Sequence, residues 1–298
     1  MTLPEPQVSV ITITWRPGYI DTMVQALQAQ TLDKDRWEWI LVDDLHQVRR
    51  SAVARYIGDS IRFQHLPPRE IKPYSATGIA INTGLAAARG ELVYFMADYM
   101  YPHPTCLERH WDIYARFGPK VLISGPLIDE ITFFGKSIWG QDWNTYSEPE
   151  KLTVKVGERL VVYKEHLPPF KIKMKPEWEY PTADNLISIW AEPFSPHWPE
   201  APGIDWRMGS ISPNLYKGSD VRVHPNDPNW WWGGRNDSGP LKLLLESGGL
   251  EETGDGRHGS LDTEWTQRMM DLGALYLVDQ RAPALILPHP MRKRETVL

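Results

Sequence analysis

Apolar positions along the chain fall into short blocks that alternate between two periods. Val8-Ser9-Val10-Ile11-Thr12-Ile13 is β-branched and reads as a buried strand over residues 8–13. After Gly18, the residues Ile20, Met23, Val24 and Leu27 recur at helical spacing on one face. Trp37 to Val42 and Ile61 to Leu66 read as two further strands. Ala76 to Ala88 predicts a helix of small residues, able to pack closely on a sheet. Leu92 to Met96 is a fourth strand, Pro104 to Phe117 a helix, and Lys120 to Ser124 a strand. Strands alternating with helices predict an α/β domain with a mostly parallel, doubly wound sheet flanked by helices.

The texture changes after Gly125. Residues 126–232 are rich in Pro and Trp and weakly periodic, with one plausible strand at Leu160 to Tyr163. A structureless stretch of this length is improbable in a compact domain, so a subregion of short strands and ordered loops over the sheet is expected. Periodicity returns at Pro240. A short apolar helix (Leu241, Leu243, Leu244, Leu245) ends at Gly248-Gly249, a second runs from Leu261 to Leu272 before Gly273, and Leu275 to Val278 is a strand. The expected division is 1–125 as a ligand-binding α/β half, 126–232 as a Trp/Pro-rich insertion, and 233–298 completing the same domain.

Composition narrows the class. The 298 residues are 42% hydrophobic and 23% charged, which reads as globular and ample for a full core. No apolar run approaches a membrane span and the first residues carry no signal-peptide pattern, so a cytoplasmic location is expected. Cys106 is the one cysteine, which excludes an intramolecular disulfide and Cys-rich zinc sites. A net charge of −6 disfavours a large nucleic-acid footprint. Ten of the fourteen tryptophans lie between Trp111 and Trp232, which reads either as aromatic core and interface packing or as flat platforms for sugars or bases.

The strand at 92–96 runs into Ala97-Asp98-Tyr99, which puts a carboxylate at the carboxyl end of a sheet strand, where open α/β sheets bind ligands. With it stand Thr14-Trp15-Arg16-Pro17 after the first strand, Val42-Asp43-Asp44 after the second, and Asn82-Thr83-Gly84 with Gly90-Glu91. Together these motifs resemble the nucleotide-sugar-binding half of family-2 glycosyltransferases of the GT-A (Rossmann-like) fold. The resemblance covers 8–125 well, 233–290 moderately and 126–232 hardly at all. It implies donor-binding roles for Thr14, Trp15, Arg16, Asp43, Asp44, Asn82 and Asp98. A strand-end aspartate can accept from a uracil N–H or a ribose hydroxyl; the competing reading of Asp43 and Asp44 is a turn closed on its own backbone.

One position departs from the family. Its Asp-x-Asp motif, whose carboxylates reach a divalent cation, is here Ala97-Asp98-Tyr99, with only the central acid kept. The resemblance implies Mn²⁺ or Mg²⁺ held by Asp98 with His289, a late histidine in Leu287-Pro288-His289-Pro290. The alternative is cationic side chains in place of a metal, with Arg292, Lys293 and Arg294 clamping a diphosphate.

Downstream, Gly233-Gly234-Arg235-Asn236-Asp237-Ser238 and Gly248-Gly249-Leu250 resemble the family's Gly-x-Asn-x-Ser … Gly-Gly-Phe-Asp-Glu stretch, which implies Gly234 and Asn236 against the donor sugar. Leu261-Asp262-Thr263-Glu264-Trp265 … Arg268 resembles the helix start whose aspartate is the catalytic base; a plain N-cap is the competing reading. The implied activity is inverting transfer of a sugar from a nucleoside-diphosphate sugar, uridine diphosphate being the commonest carrier, to an acceptor hydroxyl. Asp262 is then the base, supported by Glu264. The acceptor, a glycan or other hydroxyl compound, is expected against Trp230-Trp231-Trp232. Two alternatives stand beside it: a transferase glycosylating a hydroxylated DNA base, and an inactive glycan- or nucleotide-binding module. Nucleotidyl transfer is weaker, since no Gly-rich N-terminal phosphate loop is present.

Overall fold

The computed structural model describes residues 5–15, 20–59, 61–70, 77–125, 127–128, 146–147, 151–156, 158–163, 172–173, 221–223, 235–252, 261–279, 281–286 and 291–292. Its helices are α1 (Ile20–Gln28), α2 (His46–Ile57), α3 (Thr77–Ala87), α4 (Cys106–Phe117), α5 (Leu241–Glu246) and α6 (Leu261–Asp271). The strands before the middle segment are β1 (Val8–Thr14), β2 (Trp37–Asp43), β3 (Phe63–Leu66), β4 (Leu92–Phe95), β5 (Met100–Pro102), β6 (Val121–Ser124) and β7 (Leu127–Ile128). Then come β8 (Tyr146–Ser147), β9 (Lys151–Val156), β10 (Glu158–Tyr163), β11 (Ile172–Lys173), β12 (Val221–Val223), β13 (Asp237–Pro240), β14 (Leu275–Asp279), β15 (Ala284–Ile286) and β16 (Met291–Arg292).

Eight strands form one sheet in the order β12-β14-β6-β13-β4-β1-β2-β3. β3, β2, β1 and β4 are mutually parallel, as are β6 and β14, while β13 and β12 run against their neighbours. This is the doubly wound, mostly parallel sheet that the alternation of strands and helices predicts. The strand order reverses between β1 and β4, which is the topological switch point of the sheet.

Alternation along each strand sorts the core into two layers. Val8 and Val10, Trp37, Trp39 and Leu41, and Leu92 and Tyr94 face one way and bury α1, α2 and α4 residues such as Met23, Leu27, Val53, Ile57 and Leu107. Ile11, Ile40, Val42, Val93 and Phe95 face the other way, onto Ile81 and Leu85 of α3, Leu243 and Leu244 of α5, and Trp265 and Met269 of α6. The small-residue helix packs as closely as its composition predicts: a Cβ on Gly84 would meet Ile11 Cγ2 at 2.6 Å.

Two elements differ from the sequence expectation. Helix α2 is unannounced because its inward positions, Leu45, Arg49, Val53 and Ile57, include a buried arginine that breaks the apolar stripe. Strand β13, Asp237-Ser238-Gly239-Pro240, has none of the β-branched character of a central strand, yet lies between β4 and β6 with every residue buried.

Some of the described strands of the middle segment pair with strands from the rest of the chain. β12 edges the main sheet, β11 pairs with β8 and with the late strand β16, and β7 pairs with β15. β9 and β10 form a hairpin of their own, which contains the strand expected at Leu160 to Tyr163. No helix among the described residues is long and apolar enough to cross a membrane.

Candidate active site

The switch point carries a polar junction. Thr14, the last residue of β1, donates its hydroxyl to Asp98 Oδ2 at 2.7 Å, linking the carboxyl ends of β1 and β4. Asp98 is 2% exposed, at the bottom of the edge rather than on its rim. Trp15 is partly buried against the α1–α2 side of the core. Asp44 is half-buried, and its backbone N–H donates to Thr14 O at 2.9 Å, which closes β2 onto β1 just past the sheet. Thr14, Trp15, Asp44 and Asp98 therefore share one edge, as the motifs imply.

Asp43 has a different environment from its neighbour. It is wholly buried, accepts from Arg49 Nε at 2.7 Å and Arg49 Nη2 at 2.8 Å, and lies 2.8 Å from His65 Nε2. Its Oδ1 also accepts the Leu45 N–H at 2.8 Å, which is the backbone-turn role. Burial pushes its pKa up, but Arg49 and His65 outweigh burial and hold it at about 2. This ion pair fixes the end of β2 to the first turns of α2. Neither Arg49 nor His65 is signalled by a motif; the available hint was an arginine six residues after a strand-end aspartate.

Asn82 and Asn236 are also engaged by the protein itself. Asn82 Nδ2 donates to Leu250 O at 2.8 Å and Glu252 Oε1 at 2.7 Å, and its Oδ1 accepts the Leu250 N–H at 3.0 Å. It thereby holds the turn after α5 against α3. Gly249, with φ +70°, gives that turn its approach, since a Cβ there would meet Asn82 Oδ1 at 2.4 Å. Asn236 is fully buried; its Oδ1 accepts from the Tyr94 hydroxyl and its Nδ2 donates to Ala282 O, both at 2.7 Å.

Helix α6 packs on the face of the sheet that α3 and α5 also cover. Trp265, one turn after Asp262, packs edge-on against Phe95 with ring centroids 6.0 Å apart, and Phe95 lies three residues before Asp98. Trp265 Nε1 donates to Ser247 Oγ at 2.7 Å, and Arg268 Nε donates to Ser247 O at 2.8 Å. α6 is thus clipped to the end of α5, and through it to Asn82 and α3. Asp262 is half-buried in the first turn, with Oδ1 3.2 Å from the Thr263 N, and Glu264 is exposed.

A divalent cation requires several converging oxygen or nitrogen ligands. Asp98 has Ala97 and Tyr99 on either side, and no group of three or more His, Cys, Asp or Glu side chains comes together among the described residues. Ile286, three residues before His289, pairs with Met100, two residues after Asp98. His289 itself lies outside the described residues, as do Arg16, Gly234, Trp230, Trp231, Trp232, Lys293 and Arg294. The backbone of Arg292 pairs with Ile172 of the middle segment.

Comparison with known proteins agrees with this architecture. Residues 9–131 match the model of Glycosyl transferase family 2. The crystal structure of S. aureus TarS 1-349 in complex with UDP-GlcNAc superposes with a TM-score of 0.54 at 12% identity, covering 98% of this chain and 61% of that one. S. aureus TarS 1-349 alone gives 0.53 at 13% identity, covering 94% and 60%, and its complex with UDP gives 0.51 at 12% identity, covering 94% and 60%. The chain therefore spans under two thirds of the length of these structures. No curated protein sequence matches it. The fold is the GT-A fold, and the family match covers residues 9–131, the part of the chain that carries the switch point.

Proposed function

We propose that the protein transfers a sugar from a nucleoside-diphosphate sugar to an acceptor hydroxyl. The observation that carries this reading is the polar junction of Thr14 and Asp98 at the switch point of a GT-A sheet; the packing of Trp265 on Phe95, which seats α6 against the sheet beside β4, supports Asp262 as the base. A GT-A sheet with a polar switch point and a carboxylate-bearing helix start packed against it suits a donor and an acceptor. That the TarS neighbours are in complex with UDP-GlcNAc and UDP favours a uridine nucleotide as the carrier.

In this reading Asp262 accepts the proton of the acceptor hydroxyl as its oxygen attacks the anomeric carbon. The bond to the diphosphate breaks on the opposite face, giving inversion, and negative charge accumulates on the leaving group. Asp98, Thr14 and Asp44 contact the donor, while Asp43 positions the end of β2 and Asn82 positions the turn after α5. The ligand set for Mn²⁺ or Mg²⁺ is incomplete among the described residues, and no step is assigned to a metal. Cationic side chains, Arg292 among them, answer the diphosphate. Glu264, being exposed, suits the acceptor side, with Trp230, Trp231 and Trp232.

The test is calorimetric titration with a panel of nucleoside-diphosphate sugars, followed by release of the nucleoside diphosphate with a range of hydroxyl acceptors, water included. One donor binds, and Asp262→Asn keeps its affinity while turnover falls by roughly a thousandfold. Near-normal turnover in that variant would remove Asp262 from the role of base. Failure of the wild type to bind any donor would leave the inactive binding module as the better reading.

A further inference from the structure

The glycosyl-transfer reading needs positive charge where the diphosphate leaves, and the Asp98 loop supplies none. We propose that Arg235 is a cationic side chain that meets the diphosphate of the donor. The inference rests on that reading and on the placement of one residue.

β13 begins at Asp237, which pairs with Phe95 at the end of β4 and with Ser124 at the end of β6. Because β13 runs antiparallel to both, the residues preceding it leave the sheet at the carboxyl edge of β4 and β6. Arg235 is therefore two residues outside the sheet at the edge that holds Asp98, on the strand next to β4. Arg235 belongs to a different segment of the chain from the Asp98 loop.

The backbone under Arg235 is fixed with unusual care. Asn236 has φ 53°, in the left-handed region that asparagine adopts more readily than other side-chain-bearing residues. The structure holds it there through the Tyr94 hydroxyl, Ala282 O and the Gly125 N–H, which donates to Asn236 O at 2.9 Å. Asp237 Oδ2 accepts the Arg235 N–H at 2.9 Å, and its Oδ1 accepts the Ser124 hydroxyl, which also meets Tyr276. These groups come from β4, β6, β14 and the turn before β15, so four parts of the fold converge to set the position of one backbone nitrogen. Arg235 is itself half-buried, so its charge acts in a medium that screens less than water. A guanidinium forks onto phosphate oxygens with two hydrogen bonds, and charge developing on a leaving diphosphate strengthens both.

Titration of UDP and of uridine into the wild type, Arg235→Gln and Arg235→Lys separates the possibilities. Arg235→Gln weakens UDP by about tenfold or more, while uridine changes by less than roughly twofold. Arg235→Lys, which keeps the charge and loses the fork, falls between the two. If Arg235→Gln does not fold, the lysine variant decides: a loss for UDP alone supports the proposal. An equal loss for both ligands, or none for UDP, overturns it. A wild type that binds no UDP and no other nucleoside diphosphate removes the glycosyl-transfer reading first and this one with it. A wild type that binds UDP beside an unaffected Arg235→Gln removes only Arg235.

Discussion

At the scale of single residues, two aspartates adjacent in sequence have separate tasks. Asp44 remains half-buried at the edge, whereas Asp43 has both oxygens occupied by Arg49, His65 and the Leu45 N–H. A motif read as two donor contacts is one edge residue and one buried ion pair. The pair is worth more when broken than when made, because the partner left behind is a buried charge. Arg49→Met is expected to lower stability by about 3–5 kcal/mol, measured as a shift of the urea midpoint at constant slope. A loss below roughly 1 kcal/mol would mean that Asp43 reaches water or protonates instead.

At the scale of elements, the turn after α5 connects three helices. Asn82 holds it from α3, Arg268 and Trp265 hold it from α6, and Gly249 lets the chain pass close to the Asn82 amide. If Asn82 served only the donor, truncating it would leave the apo protein unchanged. The geometry predicts otherwise. Asn82→Ala strands the Leu250 N–H and carbonyl and should cost roughly 2–3 kcal/mol in thermal or chemical unfolding of the ligand-free protein. An unchanged apo stability together with weaker donor binding would restore the direct-contact role. The helix carrying Arg49 and the strand carrying Asp237 were hidden from pattern reading for a common reason. Both place polar residues at inward positions, where periodicity counts only apolar ones.

At the scale of the whole molecule, buried titrating groups tie stability to pH. His110, on α4, is fully buried with Nδ1 2.7 Å from Ser238 Oγ, its ring edge-on to Tyr94, and no partner at Nε2. Burial, reinforced by Arg109, pushes its pKa down to about 3. The unfolded chain takes up this proton near pH 6.5 and the folded protein does not until about pH 3. The stabilisation is therefore complete above pH 6.5 and declines as the pH falls toward 3. Asp43, also held low, adds a second loss as the pH falls from about 4 to about 2. His110→Gln should flatten the stability profile between pH 6.5 and 4.5 by up to one proton, about 1.4 kcal/mol per pH unit, in urea titrations at each pH. An unchanged slope would place the acid sensitivity elsewhere.

Most of the strands and helices through residue 125, helix α2 excepted, the two faces of the sheet and the carboxyl edge that carries Asp98 were legible in the sequence. They depend on local periodicity and on where a strand ends, and both are properties of neighbouring residues. That Asp98 sits at the carboxyl end of a strand could be anticipated for the same reason; that it meets Thr14, 84 residues away, could not. What a polar side chain does at that edge was decided only by tertiary structure. Asp43, Asn82 and Asn236 are bonded to residues 6, 168 and 142 positions away in sequence. Arg235 reaches the edge only because β13 enters the sheet in the reverse direction between β4 and β6. A motif specifies which groups a segment can offer. Which of them remain for a substrate depends on partners that folding brings from elsewhere in the chain.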